Sequence, residues 1–264
     1  MKQIAALFLL ALLAVSCRKE RPAADTSATR DHSLGEELYN DLLRVVHDLS
    51  EGTTGVRDYE TPCLDAVTID LESSPMSILA DFGEDDCVGV DGKMRKGKIL
   101  ITYTGRYRDE GTVITITPDN YRVNGYLIEG VKTVTNLGLN GSGQPHFSID
   151  VAGTITSPGN AYTLMWNSQR IRTWIAGSTT LTIWDDEYHI TGSGNGTNRN
   201  GLPYTTQILT PLHVKLLCPW IVSGTAWLTP QGLPDRIINF GNGACNAGFT
   251  VTVEGQTYAI AGGN

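Results

Sequence analysis

The chain has 264 residues, with 20 Lys and Arg against 28 Asp and Glu, a formal net charge of −8. That acidic balance lacks the basic footprint phosphate binding requires, which argues against nucleic acid as a partner. The length suffices for one well-cored domain or two.

The first residues form an export signal. Met1-Lys2, an apolar run from Ile4 to Val15 and the small residue Ser16 give the charged start, apolar stretch and small-residue cleavage site of a secretory segment over residues 1–16. The run Leu13-Ala14-Val15-Ser16-Cys17 resembles the lipobox of bacterial lipoproteins, with alanine where leucine is commoner at the third position before the cysteine. The resemblance implies that Cys17 becomes the mature N-terminus and carries lipid. The apolar run is shorter than the about 20 residues a spanning helix needs, so the expected membrane attachment is lipid, which several acyl chains make stable.

Residues 17–32 read as the lipidated cysteine and a polar tether, able to reach about 45–50 Å at about 3.3–3.6 Å per residue. A single amphipathic helix is expected over residues 33–52. Ser33 and Glu36 have capping-box spacing, Leu34, Leu38, Leu42, Val45 or Val46 and Leu49 recur at helical period, and Gly52 is a stop. The apolar stripe is expected to dock on the main domain. The opposite face, with Glu36, Glu37, Asp41 and Asp48, is acidic and would be repelled by anionic lipid.

From about residue 60 to 264 the chain changes character. Of 29 glycines, 26 lie from Gly83 onward, separating short β-branched and aromatic runs. Those runs include Lys98–Thr104, Thr112–Thr117, Lys132–Val134, His146–Val151, Thr179–Trp184, Thr205–Leu209 and Phe249–Val253. The pattern predicts a mainly β domain, an elongated antiparallel sandwich or a curved meander, with one N-terminal amphipathic helix.

One hairpin can be read by register. With Ala176-Gly177-Ser178 as its loop, Arg170–Ile175 pairs with Thr179–Trp184. Ile171, Thr173, Leu181 and Ile183 then share one face, expected to be core. Arg170, Arg172, Trp174 and Trp184 share the other with Thr180 and Thr182. Tryptophan stacks on sugars or cations and arginine offers forked donors, so Arg170, Arg172, Trp174 and Trp184 form a candidate ligand platform, the alternative being a second packed layer.

Two pairs of segments echo each other. Asp119-Asn-Tyr121-Arg-Val-Asn-Gly125 matches Asp186-Glu-Tyr188-His-Ile-Thr-Gly192, and Asp81-Phe82-Gly83 before Cys87 matches Asn239-Phe240-Gly241 before Cys245. In the second pair another cysteine precedes by 24 residues (Cys63) or 27 (Cys218). Setting Cys17 aside leaves four cysteines and three connectivities. The echoes point to Cys63–Cys87 and Cys218–Cys245.

Gly92, Arg95, Gly97, Ile99, Ile101, Tyr103 and Gly105, with Val123-Asn124-Gly125, Thr191-Gly192 and the Asn239–Cys245 run, resemble a large group of Bacteroidetes-type lipoproteins. The resemblance implies an envelope β-protein and transfers no catalytic residue. Surface-displayed lipoproteins of such bacteria tend to carry acidic residues after the lipidated cysteine. Arg18-Lys19-Glu20-Arg21 is mostly basic, which favours the periplasmic face of the outer membrane.

Other candidates weigh less. Asp81, Glu84, Asp85 and Asp86 have the oxygen chemistry of a calcium loop, yet the echo at Asn239–Cys245 has no carboxylate, so a turn is expected. Asp185, Asp186 and Glu187 have the residue types of a glycosidase pair, but neighbouring strand residues face opposite ways. The five histidines are scattered, and no HExxH or GxSxG run occurs. No catalytic residue, metal or cofactor is expected. The expected function is a non-enzymatic binding or structural role toward a glycan or an envelope protein. The alternatives are an envelope glycan hydrolase and a carrier of an apolar ligand in a curved sheet.

Overall fold

The computed structural model describes residues 25–53, 63–89 and 91–261. The export segment, Cys17 and the tether up to residue 24 lie outside the described residues. One helix, α1 (Ser27–Thr53), precedes a β-body that opens with β1 (Ala66–Asp70), β2 (Met76–Asp81), the two-residue β3 (Cys87–Val88) and β4 (Met94–Tyr103). Long strands follow: β5 (Val113–Val123), β6 (Tyr126–Leu139), β7 (Pro145–Thr156), β8 (Thr163–Ala176), β9 (Glu187–Thr197) and β10 (Pro203–Lys215). The body ends with β11 (Ile221–Pro230), β12 (Arg236–Asn242), β13 (Phe249–Val253) and β14 (Gln256–Ile260).

All fourteen belong to one antiparallel sheet. Thirteen follow each other in hairpin order from β1 to β14, and β3 pairs beside them on β4. Local chemistry sets the hairpins. Asn124-Gly125 between β5 and β6 and Glu254-Gly255 between β13 and β14 both have positive φ at the two turn residues, the twist-matched two-residue connection. The architecture is the curved meander, and the sandwich alternative is replaced by a single sheet.

The sheet curls around α1. From Ala28 to Ser50 only Arg30 is exposed, so the helix is buried on every side. A helix buried all round is normally apolar all round; this one is not. Leu34, Leu38, Leu42, Val45, Val46 and Leu49 are buried as the periodicity predicts, but so are Asp31, Glu36, Asp41 and Asp48. The acidic face opposite the apolar stripe is therefore also inside, and of Glu36, Glu37, Asp41 and Asp48 only Glu37 is partly exposed. The helix also starts earlier than expected: Ser27 N–H donates to Asp25 Oδ1 at 2.8 Å, and Ser33 falls in its second turn. Residues 27–32, read as tether, are helical. Glu36 answers an arginine of the sheet instead of closing a capping box.

Along the strands, side chains alternate between helix and solvent. In β8 the inward set is Leu164, Trp166, Ser168, Arg170, Arg172 and Trp174. The approach of helix to sheet is closest at two glycines. A Cβ on Gly35 would overlap the Trp166 indole, and one on Gly153 of β7 would overlap the Tyr39 hydroxyl and the Glu129 carbonyl. Two disulfides staple the ends of the sheet, Cys63–Cys87 and Cys218–Cys245, with Cα atoms 5.7 and 5.8 Å apart.

Candidate functional site

The structure brings Arg170, Arg172 and Trp174 together on β8, but against α1. Arg172 is 0 % exposed, and Arg170 and Trp174 are also buried. The expected hairpin with Thr179–Trp184 does not form. Residues 177–186 are a connection, β8 pairs with β9 instead, and Trp174 lies opposite Tyr188. Trp184 sits half-buried in that connection. Of the face expected to be core, Leu181, 80 % exposed, and Ile171 turn outward, Thr173 is half-buried, and Ile183 is buried in the core from the connection. For Arg170 the physical reason is Glu36 of the helix, which supplies its counter-ion; Arg172, of the same parity, donates to the Tyr107 hydroxyl.

Helix acids and sheet bases pair along the length of α1. Near its start, Arg199 of the β9–β10 turn donates to Asp31 from Nε at 2.9 Å and from Nη2 at 2.5 Å. One turn on, Arg170 Nη2 donates to Glu36 Oε1 at 2.5 Å, and His32 lies 3.5 Å from the same oxygen. The Arg170 cation, with His32, outweighs burial and holds the Glu36 carboxyl below the usual range, while burial pushes His32 down to about 4. Lys132 of β6 donates to the Tyr39 carbonyl at 2.7 Å, and burial with the nearby Arg172 charge pushes its ammonium down to about 7.

At mid-helix, Asp41 is held by Arg95 of β4 and by Lys93 at 3.4 Å. Arg95 also binds Asp91, and Arg44 reaches both Asp91 at 3.2 Å and the Cys218 carbonyl at 3.1 Å. Lys93 and Arg95 together keep Asp41 ionised against its desolvation. In the last turns, His47 Nδ1 bonds the Tyr107 hydroxyl at 2.7 Å and Nε2 bonds Asp186 Oδ2 at 2.9 Å. Arg172 Nη2 donates to Tyr107 at 2.7 Å, and Tyr188 closes the group from β9. This array is chemically a lock. Asp31, Glu36 and Asp41 each meet an arginine, as burial of charge demands, whereas Lys132 and Arg172 are held by a backbone carbonyl and a tyrosine hydroxyl. Beside it, α1 occupies the concave face, with a pocket of about 50 Å³ against β10 to β13 and one of about 530 Å³ at its C-terminal end, lined by Ser50, Ile78, Tyr103 and Tyr107.

The other candidates resolve into turns and pairs. Asp81 Oδ1 accepts Gly83 N–H at 2.9 Å, and Asn239 Oδ1 accepts Gly241 N–H at 2.9 Å, so the second echo is the same side-chain-closed turn made once by aspartate and once by asparagine. Phe82 and Phe240 enter the core from both copies. In the first echo, Tyr121 and Tyr188 both point inward, to Asp41 and to His47, while Asp119 is exposed and Asp186 buried. Asp185 is exposed, and Glu187 pairs with His213 at 2.7 Å and Lys215 at 3.0 Å. Among the described residues, no group of three or more His, Cys, Asp and Glu is arranged to hold a metal ion.

The open surface with recognition chemistry is the outer face, which the sequence reading passed over. Register places Thr133, Asp150, Gln169, Ser193, Gln207 and Trp227 side by side across β6 to β11. A depression of about 500 Å³ lies over β6 to β9, and another of about 440 Å³ over β8 to β11. The signal was present as polar residues alternating with the inward set, but it emerges only when strands are laid next to each other. Comparison of the chain with protein-family models, curated proteins and solved structures gave no match.

Proposed function

We propose that the chain is a lipid-anchored protein of the bacterial envelope, of the Bacteroidetes lipoprotein kind, with a non-enzymatic binding or structural role. Cys17 carries the lipid, and the outer membrane, periplasmic face, is the site of attachment. The observation that supports this reading best is the division of the cysteines. Four are paired within the β-body, as an oxidising, extracytoplasmic compartment favours, and Cys17 stands apart at the end of an apolar export run. The described part of the chain begins eight residues after it, and no described helix is long and apolar enough to cross a membrane. Because α1 occupies the inner face of the sheet, the outer face is left for partners, a glycan or another envelope protein.

Expression of the full chain in a Gram-negative host with radiolabelled palmitate tests the anchor. Wild type is expected to take label and sediment with outer membranes, and Cys17→Ser to do neither. Absence of label on wild type, or outer-membrane sedimentation of Cys17→Ser, would refute it. For the role, envelope glycan and protein fractions are passed over the immobilised full chain. Retention of a discrete component is expected, whereas release of shortened glycan would replace binding by hydrolysis.

A further inference from the structure

The geometry points to the outer face of β6 to β11 as a site for a linear, neutral oligosaccharide lying across the strands. The inference rests on the binding role proposed above and supplies its ligand class and location. Beside the row that ends at Trp227 runs a second, in which Asn167, Asn195, Thr205 and Thr229 are register neighbours on β8 to β11. The two depressions adjoin at Asn195, which lines both, and together form a shallow trough flanked by Gln207 and Trp227.

The side chains in these rows choose the ligand. Asn, Gln, Ser and Thr each offer donor and acceptor, which is what sugar hydroxyls require. Neither row contains Lys or Arg, and Asp150 contributes a negative charge, so an anionic glycan or a phosphate has no counter-ion there. Exposed Val131 and Met165 also line the trough, on β6 and β8 with Asn167 and Ala152 between them, so they offer apolar contact to sugar rings but no continuous track for a lipid chain. Neighbouring strands lie about 4.8 Å apart, close to the advance per residue of an extended pyranose chain, so each sugar meets a fresh strand.

Two features hold the surface ready. Asn167 Nδ2 donates to Asn195 Oδ1 at 3.2 Å, fixing both amides across the strand pair. Trp227, 38 % exposed at the end of its row, donates from Nε1 to Thr229 Oγ1 at 3.1 Å, which braces the indole for stacking on a sugar ring. Restricting these groups before binding lowers the ordering cost.

The test is calorimetric titration of the full chain in detergent with hexasaccharides of β-linked glucose, mannose and xylose, and with an oligogalacturonate as the anionic contrast. At least one neutral hexasaccharide is expected to bind. Trp227→Ala and the Asn167→Ala/Asn195→Ala pair are each expected to weaken it at least tenfold with unchanged melting temperature. Gln169→Ala, an exposed side chain in the same trough, serves if either fails to fold. Failure of all three neutral sugars, preference for the anionic one, or binding indifferent to the folded variants would overturn the inference. If the immobilised chain retains an envelope protein but no sugar binds, this site falls while the binding role stands; retention of nothing removes both.

Discussion

Tyr39 of α1 and Trp166 of β8 stack with ring centroids 4.9 Å apart and planes 12° from parallel. Each ring also presses on a glycine of the opposing element: Trp166 on Gly35 of the helix, and the Tyr39 hydroxyl on Gly153 of the sheet. Tyr39 further donates to the Glu129 carbonyl at 3.1 Å. The pair sets how closely the helix seats in the curl of the sheet.

Gly35→Ala separates seating from propensity. Alanine in a helix interior ordinarily gains about 1 kcal/mol over glycine. Here its methyl would meet a rigid indole, and overpacking of a close-packed interior costs about 1–3 kcal/mol. A net loss is therefore expected, and Gly153→Ala, blocked by backbone as well as by Tyr39, should lose more. Urea denaturation measures both; a stabilised Gly35→Ala would show that the helix sits farther from the sheet.

Glu36 and Arg170 form a second test. Removing one member of a buried pair strands the other charge at a cost of about 3–5 kcal/mol, whereas replacing both with apolar or neutral residues is often tolerated. Arg170→Met is expected to lose stability in that range, and Glu36→Gln/Arg170→Met to recover most of it. A double-mutant cycle with no coupling would mean the two groups do not depend on each other.

Acid should loosen the same region, and the sign follows from His32 and Glu36. His32 falls from about 6.5 to about 4 on folding. The unfolded chain therefore binds more protons in that window, and stability declines as pH drops from 6.5 toward 4. Glu36 is depressed, so its contribution is present above the unfolded carboxylate value and is also lost as pH falls. Lys132, lowered to about 7, acts higher: the unfolded state holds its proton up to about 10.5, so stability rises with pH from 7 upward. Denaturation midpoints at pH 4.5, 6.5 and 9 should increase in that order. His32→Gln should flatten the lower step and Lys132→Met the upper.

These buried charges also mark where sequence reading ran out. Glycine-punctuated runs and the paired echoes expose the β class, most of the named strands and the disulfides, because each is a local signal. Thr179–Trp184 misled because β-branched residues flanking a glycine also occur in a connection. Helix polarity misled further: Glu36, Asp41 and Asp48 look solvated until the strands opposite are known. A clue lay in β8, where Arg170 and Arg172 keep the parity of Leu164, Trp166 and Trp174, so that the arginines and the core share a face. Which face that was depended on counter-ions more than a hundred residues away.

The disulfide Cys218–Cys245 is expected to matter beyond its loop. Closing a connection of 27 residues restricts the unfolded chain by an amount equal to about 3–4 kcal/mol in the entropy model. The Cys218 carbonyl also accepts from Arg44, whose other arm holds Asp91 near Cys87. Loss of the bond frees the β10–β11 connection and with it one partner of Arg44. Cys218→Ser/Cys245→Ser should therefore destabilise the chain by at least that amount and increase hydrogen exchange around residues 89–95 as well as 216–221. Exchange confined to the second region would show that Arg44 does not link the two staples.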